Sequence, residues 1–374
     1  MGEILITADI LPTNSNINLF EEGKTEELFG SKIISLFNGS DYRIVNLEGP
    51  LTDAAEEIDK DGPCLKGSTK SFNGLRSLNI DVFSIANNHI MDYGEEGLNS
   101  TVQILKKSGA KYCGAGQNLE EARKPHIFTC DQKKIGLLSC TEYEFTIATQ
   151  TRPGANPFEP MNMIDDIIEL KQKVDYMIIL YHGGKEYYRY PVPYVQRRCR
   201  KMIEKGANLI ICQHSHCIGC YEQYQEGTII YGQGNFLFDR GSDEFRNSGL
   251  IITCDPIVNK IKFYPVVREE NVVRMADEEQ TANIMKEFYN RTEEIKKKNF
   301  VEEQYSEFAM KMFDIYRYRT LGRIGRFIEK FHLNFLINML FTKKHDMWII
   351  NSLRCEAHRD LYLCGLLKKY DLWK

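Results

Sequence analysis

An α/β sandwich followed by a helical tail is the fold class this sequence predicts. Short aliphatic runs alternate with helical stretches of about 10–15 residues, the pattern of βαβ units. Several of those runs stop at a polar residue able to bind a metal. Toward the C-terminus the strand pattern gives way to charged and amphipathic helical repeats. Residues 1–275 are therefore expected to form one α/β domain, and residues 276–374 a helical extension.

The first predicted strand runs from Glu3 to Ala8 and ends on Asp9; Pro12, Thr13 and Asn14 then mark a loop. A helical stretch from Leu28 to Phe37 leads to a strand from Tyr42 to Leu47 with Glu48 at its end. The polar, Gly- and Pro-containing segment from Glu56 to Lys70 reads as a loop, and Phe72 to Leu78 as a short helix. A third buried strand, Asp81 to Ala86, runs out into Asn87, Asn88 and His89. Leu98, Val102 and Leu105 give Gly94–Ser108 helical spacing, closed by Gly109. Lys111–Gly114 and Lys134–Cys140 read as strands and Ile164–Val174 as a helix. Asp175–Tyr181 is a strand that delivers His182, and Val195–Lys205 is a helix closed by Gly206. The aliphatic run Leu209–Ile211 then ends in Cys212-Gln213-His214-Ser215-His216. The organisation changes after Asp239, and Gly249–Cys254 with Ile261–Val267 reads as a closing hairpin turned at Asp255-Pro256.

Composition narrows the function classes. The chain has 374 residues, is 27% charged and carries a net charge of −4, which leaves no basic footprint for nucleic acid. No apolar run reaches the ~18 residues of a membrane span. The opening Met1-Gly2-Glu3 lacks the basic and apolar regions of a signal peptide, so a cytoplasmic site of action is expected, at most peripheral to the inner face of a membrane. Eleven cysteines, an odd number set mostly in strand-like runs, suit reduced buried thiols. Cys217-Ile218-Gly219-Cys220 is a C-x-x-C pair without a second such pair, and its flanks are not helical. Packed thiols are expected there rather than a redox or zinc site.

In open α/β sheets ligands bind beyond the carboxyl ends of the strands. Asp9, Glu48, Asn88, His89, His182, His214 and His216 all lie just past a predicted strand end, so five strands present metal-competent side chains at one edge. A turn former or a surface charge explains any one of them; packing does not explain all five. The mixture of oxygen and imidazole donors favours one or two divalent ions such as manganese, zinc or iron. Paired ions commonly activate water for attack on phosphorus or carbonyl carbon, which makes a di-metal hydrolase the reading of the residues.

Seven motifs in order carry a resemblance. They are Asn46-Leu47-Glu48, Ala86-Asn87-Asn88-His89 with Asp92-Tyr93-Gly94, Gly114-Ala115-Gly116, His182-Gly183-Gly184-Lys185-Glu186, Gly206-Ala207-Asn208, His214-Ser215-His216 and Gly232-Gln233-Gly234-Asn235-Phe236. Over about residues 3–240 the chain resembles the CapA family of poly-gamma-glutamate and capsule-biosynthesis proteins, a branch of the calcineurin-like metallophosphoesterases. The resemblance implies a four-layer α/β/β/α sandwich with a metal pair between two sheets. By motif it assigns Asp9 to the first strand and Glu48 to the bridging position. Asn88, His182 and His214 would complete one ion, and His216 the other. It leaves His89 outside the metal shell as a proton donor oriented by Asp92, with Glu186 as a further acid, base or substrate contact.

Departures from the wider superfamily stand beside these matches. Asp-x-His is here Asp9-Ile10-Leu11, the bridging aspartate is Glu48, and Gly-His-x-His is Gln213-His214-Ser215-His216. The CapA branch shares the first two changes, and a first ion weakly held or absent is the consequence expected. Asn235 reads equally as a turn former or as a neighbour of the metals.

The tail lies outside the resemblance. Thr281–Lys298 and Val301–Tyr318 read as helices, and Leu321–Phe341 mixes Arg323, Arg326 and Lys330 with Phe327, Phe331 and Phe335. Such a stripe is expected to pack on its own domain; a peripheral membrane contact is the alternative. Three functions follow, in order: a metal-dependent hydrolase of phosphoester, amide or peptide bonds in surface-polymer synthesis, a non-catalytic subunit of a polymer-synthesis complex, and a metal-assisted peptide epimerase. The expected partner is an anionic polymer, peptide or phosphorylated substrate, with no nucleic acid.

Overall fold

The computed structural model describes residues 2–238 and 247–370, apart from the side chains of residues 334 and 338; Asp239 lies outside the described residues. Two main sheets carry the first part of the chain. The first holds β1 (Ile4–Leu11), β2 (Tyr42–Leu47), β3 (Val82–Ser84), β4 (Lys111–Cys113), β13 (Asn235–Phe238), β14 (Ser248–Asp255), β15 (Lys260–Glu269) and β16 (Val272–Met275). The second holds β6 (His126–Cys130), β7 (Lys133–Thr141), β9 (Tyr176–His182), β10 (Leu209–Gln213), β11 (Tyr221–Tyr224) and β12 (Gly227–Tyr231). The short β5 (Ala115–Gly116) and β8 (Gly154–Ala155) pair with each other.

In the first sheet β1, β2, β3 and β4 are parallel, β13 pairs parallel with β1, and β14 begins an antiparallel meander through β15 to β16. In the second, β7, β9, β10 and β12 are parallel and β6 and β11 close the edges antiparallel. Parallel strands bring their carboxyl ends to one edge, which is how residues far apart in sequence meet.

Period-two alternation decides what each face packs against. Ile4 and Ile6 of β1 join Ile44, Ile178, Leu180, Leu209, Ile211 and Ile252 in the core between the sheets. Leu5, pointing the other way, joins Val45, Phe83 and Phe236 beneath α2 (Thr25–Gly39), the 3-10 segment Thr69–Leu78 and α3 (Gly94–Ser108). On the far side α5 (Pro160–Lys171) and α6 (Pro193–Lys205) cover the second sheet, with Leu170 against Gly136. The result is the expected four-layer α/β/β/α order. Short helices α1 (Ile17–Glu21) and α4 (Leu119–Ala122) complete the set.

Buried amides tie the sheets together near the site. Gln213 Nε2 donates to Thr7 O at 3.2 Å and to Gln233 Oε1 at 3.1 Å. Gln233 Nε2 in turn donates to Ile6 O and Leu250 O. Unpaired, these groups would cost stability; bonded, they fix how one sheet faces the other.

The chain divides into two compact units, 1–301 and 302–374. The sequence places the boundary at 275, but α7 (Glu278–Glu294) packs on β11 and β15 and so belongs to the first unit. Its buried Phe288 meets Tyr221 and Phe263 at ring-centroid distances of 5.5 and 5.0 Å. Arg291 Nε donates to Gly219 O at 2.8 Å and Nη2 to Ile218 O at 3.2 Å, which holds the segment just after His216. Arg291→Ala is expected to lower unfolding stability by about 1–3 kcal/mol by leaving a buried carbonyl without its donor. A urea midpoint unchanged from wild type would contradict that role.

The second unit is helical: α8 (Phe300–Thr320), α9 (Gly322–Lys330), α10 (Asn334–Leu340), α11 (Lys343–Arg354) and α12 (Glu356–Lys369). Its buried cluster is small, Tyr318, Ile328, Ile337 and Phe341. The Leu321–Phe341 stripe, expected to pack on its own domain, does so in part: Ile328, Ile337 and Phe341 are buried, while Ile324, Phe327, Phe331, Phe335 and Leu340 are exposed. It is broken into α9 and α10, and each helix presents exposed apolar residues. Among the described residues no helix is long and apolar enough to cross a membrane.

Candidate metal centre

At the carboxyl edge of both sheets the strand-end residues converge. Asp9 lies inside β1, which runs two residues further than the sequence predicts, to Leu11; the pairing register shifts on both sides of Asp9. Glu48 follows β2, Asn88 and His89 lie in the turn after β3, and His182 is the last residue of β9. His214 and His216 follow β10, both with positive φ, 81° and 54°. Left-handed backbone is uncommon outside glycine, and Tyr187 (φ 60°) adds a third such residue beside them.

Two donor groups result, sharing Glu48. In one, Glu48, His182 and His214 present atoms within 4.8 Å of one another. His182 Nε2 stands 3.4 Å from Glu48 Oε1, 3.2 Å from His214 Nδ1 and 3.0 Å from Asn88 Oδ1. In the other, Asp9, Glu48 and His216 meet the same limit. There His216 Nε2 is 3.6 Å from Glu48 Oε1, while its Nδ1 is 2.9 Å from Asn235 Oδ1. Asn235, the first residue of β13, is thus a partner of a candidate ligand and not only a turn former. Rings of Phe238 and Tyr187 stack on His216 at 5.0 and 6.2 Å.

These residues fit a divalent ion. Glu48 is fully buried, yet neither of its carboxylate oxygens has a hydrogen-bond partner, and His182 Nδ1 is also orphaned. Burial pushes the Asp9 carboxyl up to about 6, helped by the neighbouring Glu48. Burial likewise raises Glu48, against the opposing pull of His216 and His89. His182 is lowered to about 4 by burial, and His214 falls well below the usual range through burial and the adjacent His182. His216, which burial alone would lower, is held up by Glu48 and Asp9. Neutral imidazoles aimed at unpartnered buried carboxylates are the donor chemistry of a cation site. Two residues beyond Asp9, Leu11 is buried and apolar, and among the described residues the Asp9 group has three donors.

His89 sits outside both groups, buried, with Nδ1 2.6 Å from Asp92 Oδ2. A third member was not visible in the sequence: Lys60, from the segment read only as a polar loop. Its Nζ donates to Asp92 Oδ1 at 2.6 Å and to Asn88 O at 3.1 Å, with side-chain exposures of 3% for Lys60 and 0% for Asp92. Leu65 N also donates to Asp92, at 2.7 Å, so the loop is folded down onto the His89 turn. Nothing in its composition signals this, because a lysine between Asp59 and Asp61 reads as solvent-facing. Glu186 is half-buried and near enough for its charge to act on Glu48, His182 and His216, but it lies outside both donor groups.

The C-x-x-C pair adds no ligand. Cys217 and Cys220 are buried, burial pushes the Cys220 thiol upward, and among the described residues the donor groups contain no cysteine.

The family model described as "Bacterial capsule synthesis protein PGA_cap" matches residues 3–240. The PGA biosynthesis protein CapA of Bacillus subtilis (strain 168) is 31% identical over 225 residues, which are 58% of this chain and 58% of that protein. The capsule biosynthesis protein CapA of Bacillus anthracis is 28% identical over 221 residues, 57% of this chain and 54% of the relative. The chain thus spans a little under three fifths of the length of these relatives. Among solved structures, a phosphatase from Mycoplasma pneumoniae overlaps 75% of this chain and 96% of its own at 14% identity and a TM-score of 0.43, too loose a likeness to transfer chemistry.

Proposed function

This chain belongs to the bacterial capsule synthesis protein PGA_cap family, and from that membership we propose that its first unit is a divalent-metal-dependent hydrolase acting in the synthesis of a surface polymer. The observation that carries the proposal is Glu48, a fully buried carboxylate whose unpartnered oxygens are shared by two donor groups. A divalent ion bound there supplies positive charge to a phosphoryl or carbonyl oxygen. Asp9, Glu48, Asn88, His182, His214 and His216 are the proposed ligands. The substrate class is a phosphoester, amide or peptide bond of an anionic polymer or its precursor.

The chain's own residues then do the rest. Asp92 accepts from His89 Nδ1, which leaves Nε2 to carry a proton to the departing oxygen or nitrogen. Lys60 neutralises the buried Asp92 and holds the His89 turn through Asn88 O. Such a partner acts on the reaction through the orientation of His89. Glu186, at the rim, is the proposed contact for a substrate amine or hydroxyl. A cytoplasmic site of action belongs to the same proposal; Cys199 and Cys212, whose thiols share a hydrogen bond at 3.7 Å without a disulfide, suit a reducing compartment.

One observation favours a second reading. Leu11 closes the Asp9 group to a fourth strand-borne ligand, which suits a binding subunit that keeps the fold and a single ion. Turnover separates the two. The protein loaded in turn with manganese, zinc and iron is expected to hydrolyse p-nitrophenyl phosphodiesters or γ-glutamyl anilides, with activity removed by chelation and restored by the ion. Binding of polymer without turnover in any metal would favour the subunit.

A further inference from the structure

Helix α9 has three distinct sectors. Gly325 and Ile328 face inward and are buried. Ile324, Phe327 and Phe331 form an exposed row beside them, and Arg323, Arg326 and Lys330 form the next row round, also exposed. At 3.6 residues per turn these spacings align each set along the helix. Exposed apolar residues continue through α10 at Phe335, Met339 and Leu340; Phe327, Phe331, Phe335 and Met339 stand 54% to 71% exposed. Between Arg317 and Lys344 the sequence has seven lysines or arginines and a single acid, Glu329, in a chain whose net charge is −4.

We infer that the α9–α10 face of the second unit docks on an anionic phospholipid surface, with the Phe327–Phe331 row in the acyl boundary and the Arg323–Arg326–Lys330 row on the headgroups. The charge on the page selects this occupant. A second copy of the chain would bring the same basic row against itself across a two-fold contact, where like charges repel. An acidic polymer would satisfy the arginines and leave the phenylalanines in water. A bilayer of anionic lipid satisfies both rows at once, the aromatic row by apolar burial and the basic row by headgroup charge. Exposed apolar surface of this extent on a soluble unit marks an interaction site. The inference is independent of the metal centre.

The test is co-sedimentation of the full chain with phosphatidylcholine vesicles, with and without phosphatidylglycerol. Binding is expected only to the phosphatidylglycerol vesicles, and it should weaken with salt. Arg323→Gln with Arg326→Gln is expected to weaken it roughly thirtyfold. Phe327→Ser with Phe331→Ser should weaken it roughly a hundredfold. Metal content and far-UV circular dichroism should match the wild type in both variants. The arginine pair is solvent-facing, so its result stands even if the serine pair unfolds the unit. No binding to anionic vesicles would overturn the inference, as would binding indifferent to phosphatidylglycerol or to the arginine substitutions. A dimer dispersed by the same substitutions, without vesicle binding, would also overturn it and assign the face to a second copy.

Discussion

Glu48→Gln is expected to remove metal from both donor groups and, at neutral pH, to make the metal-free protein more stable than wild type. The two effects have one cause. Glu48 belongs to both groups, so its loss should lower metal affinity by at least about 100-fold, the upper end of what an outer partner costs. Without an ion, however, Glu48 is a buried carboxylate with unpartnered oxygens. Burial raises its folded pKa, and raises Asp9 from 3.8 to about 6. An acid whose folded pKa is raised contributes stability below its unfolded pKa and loses that contribution as pH climbs through the folded value. Stability of the metal-free wild type should therefore fall as pH rises from near 3.8 through about 6, and metal should restore it above that window. Glutamine cannot ionise, so the metal-free variant escapes part of the fall, about 1–3 kcal/mol. Melting temperatures with and without metal at acid and neutral pH read both effects. A variant less stable than wild type when both are metal-free at neutral pH would count against the role given to Glu48.

His89→Asn is expected to cut turnover by about 10²–10⁴-fold with metal content unchanged, since His89 lies outside both donor groups. Asp92→Asn and Lys60→Met should produce smaller losses, because they act through His89's orientation. A merely structural role would lower turnover of every substrate alike. Here the loss in His89→Asn should be large for a poorly departing alcohol and small for p-nitrophenolate, which leaves without a proton, and Lys60→Met should show the same dependence in weaker form. A loss independent of the leaving group in both would remove His89 and its partners from the chemistry.

Much of this site is legible in the sequence because parallel strands bring their carboxyl ends together. His182, His214 and His216 follow runs so aliphatic that the strand ends are unmistakable, and Glu48 follows β2 in the same way. Asp9 is less plain, because β1 continues past it through a register shift and local pattern does not announce where a strand bends. Lys60 is invisible for a different reason: its burial comes from a loop folding onto the turn at His89, a tertiary contact without periodicity. The edge strand β6, where half-buried and exposed residues alternate from His126 to Thr129 before buried Cys130, and the hairpin of β11 and β12 do not stand out in the sequence, because the edge strands β6 and β11 mix polar residues into their runs. The place of α7 is not legible because helical spacing says nothing of the partner, here Tyr221 and Phe263. In the tail, residue type alone could not distinguish an apolar stripe that packs from one left exposed.

Elemental analysis of the protein purified without chelator, beside a His214→Ala/His216→Ala double variant, tests the central claim most directly. The account predicts about one or two equivalents of manganese, zinc or iron in the wild type and loss of them in the variant. No metal in the wild type, even after each ion is added back, would contradict it and leave a binding protein with the shape of an enzyme.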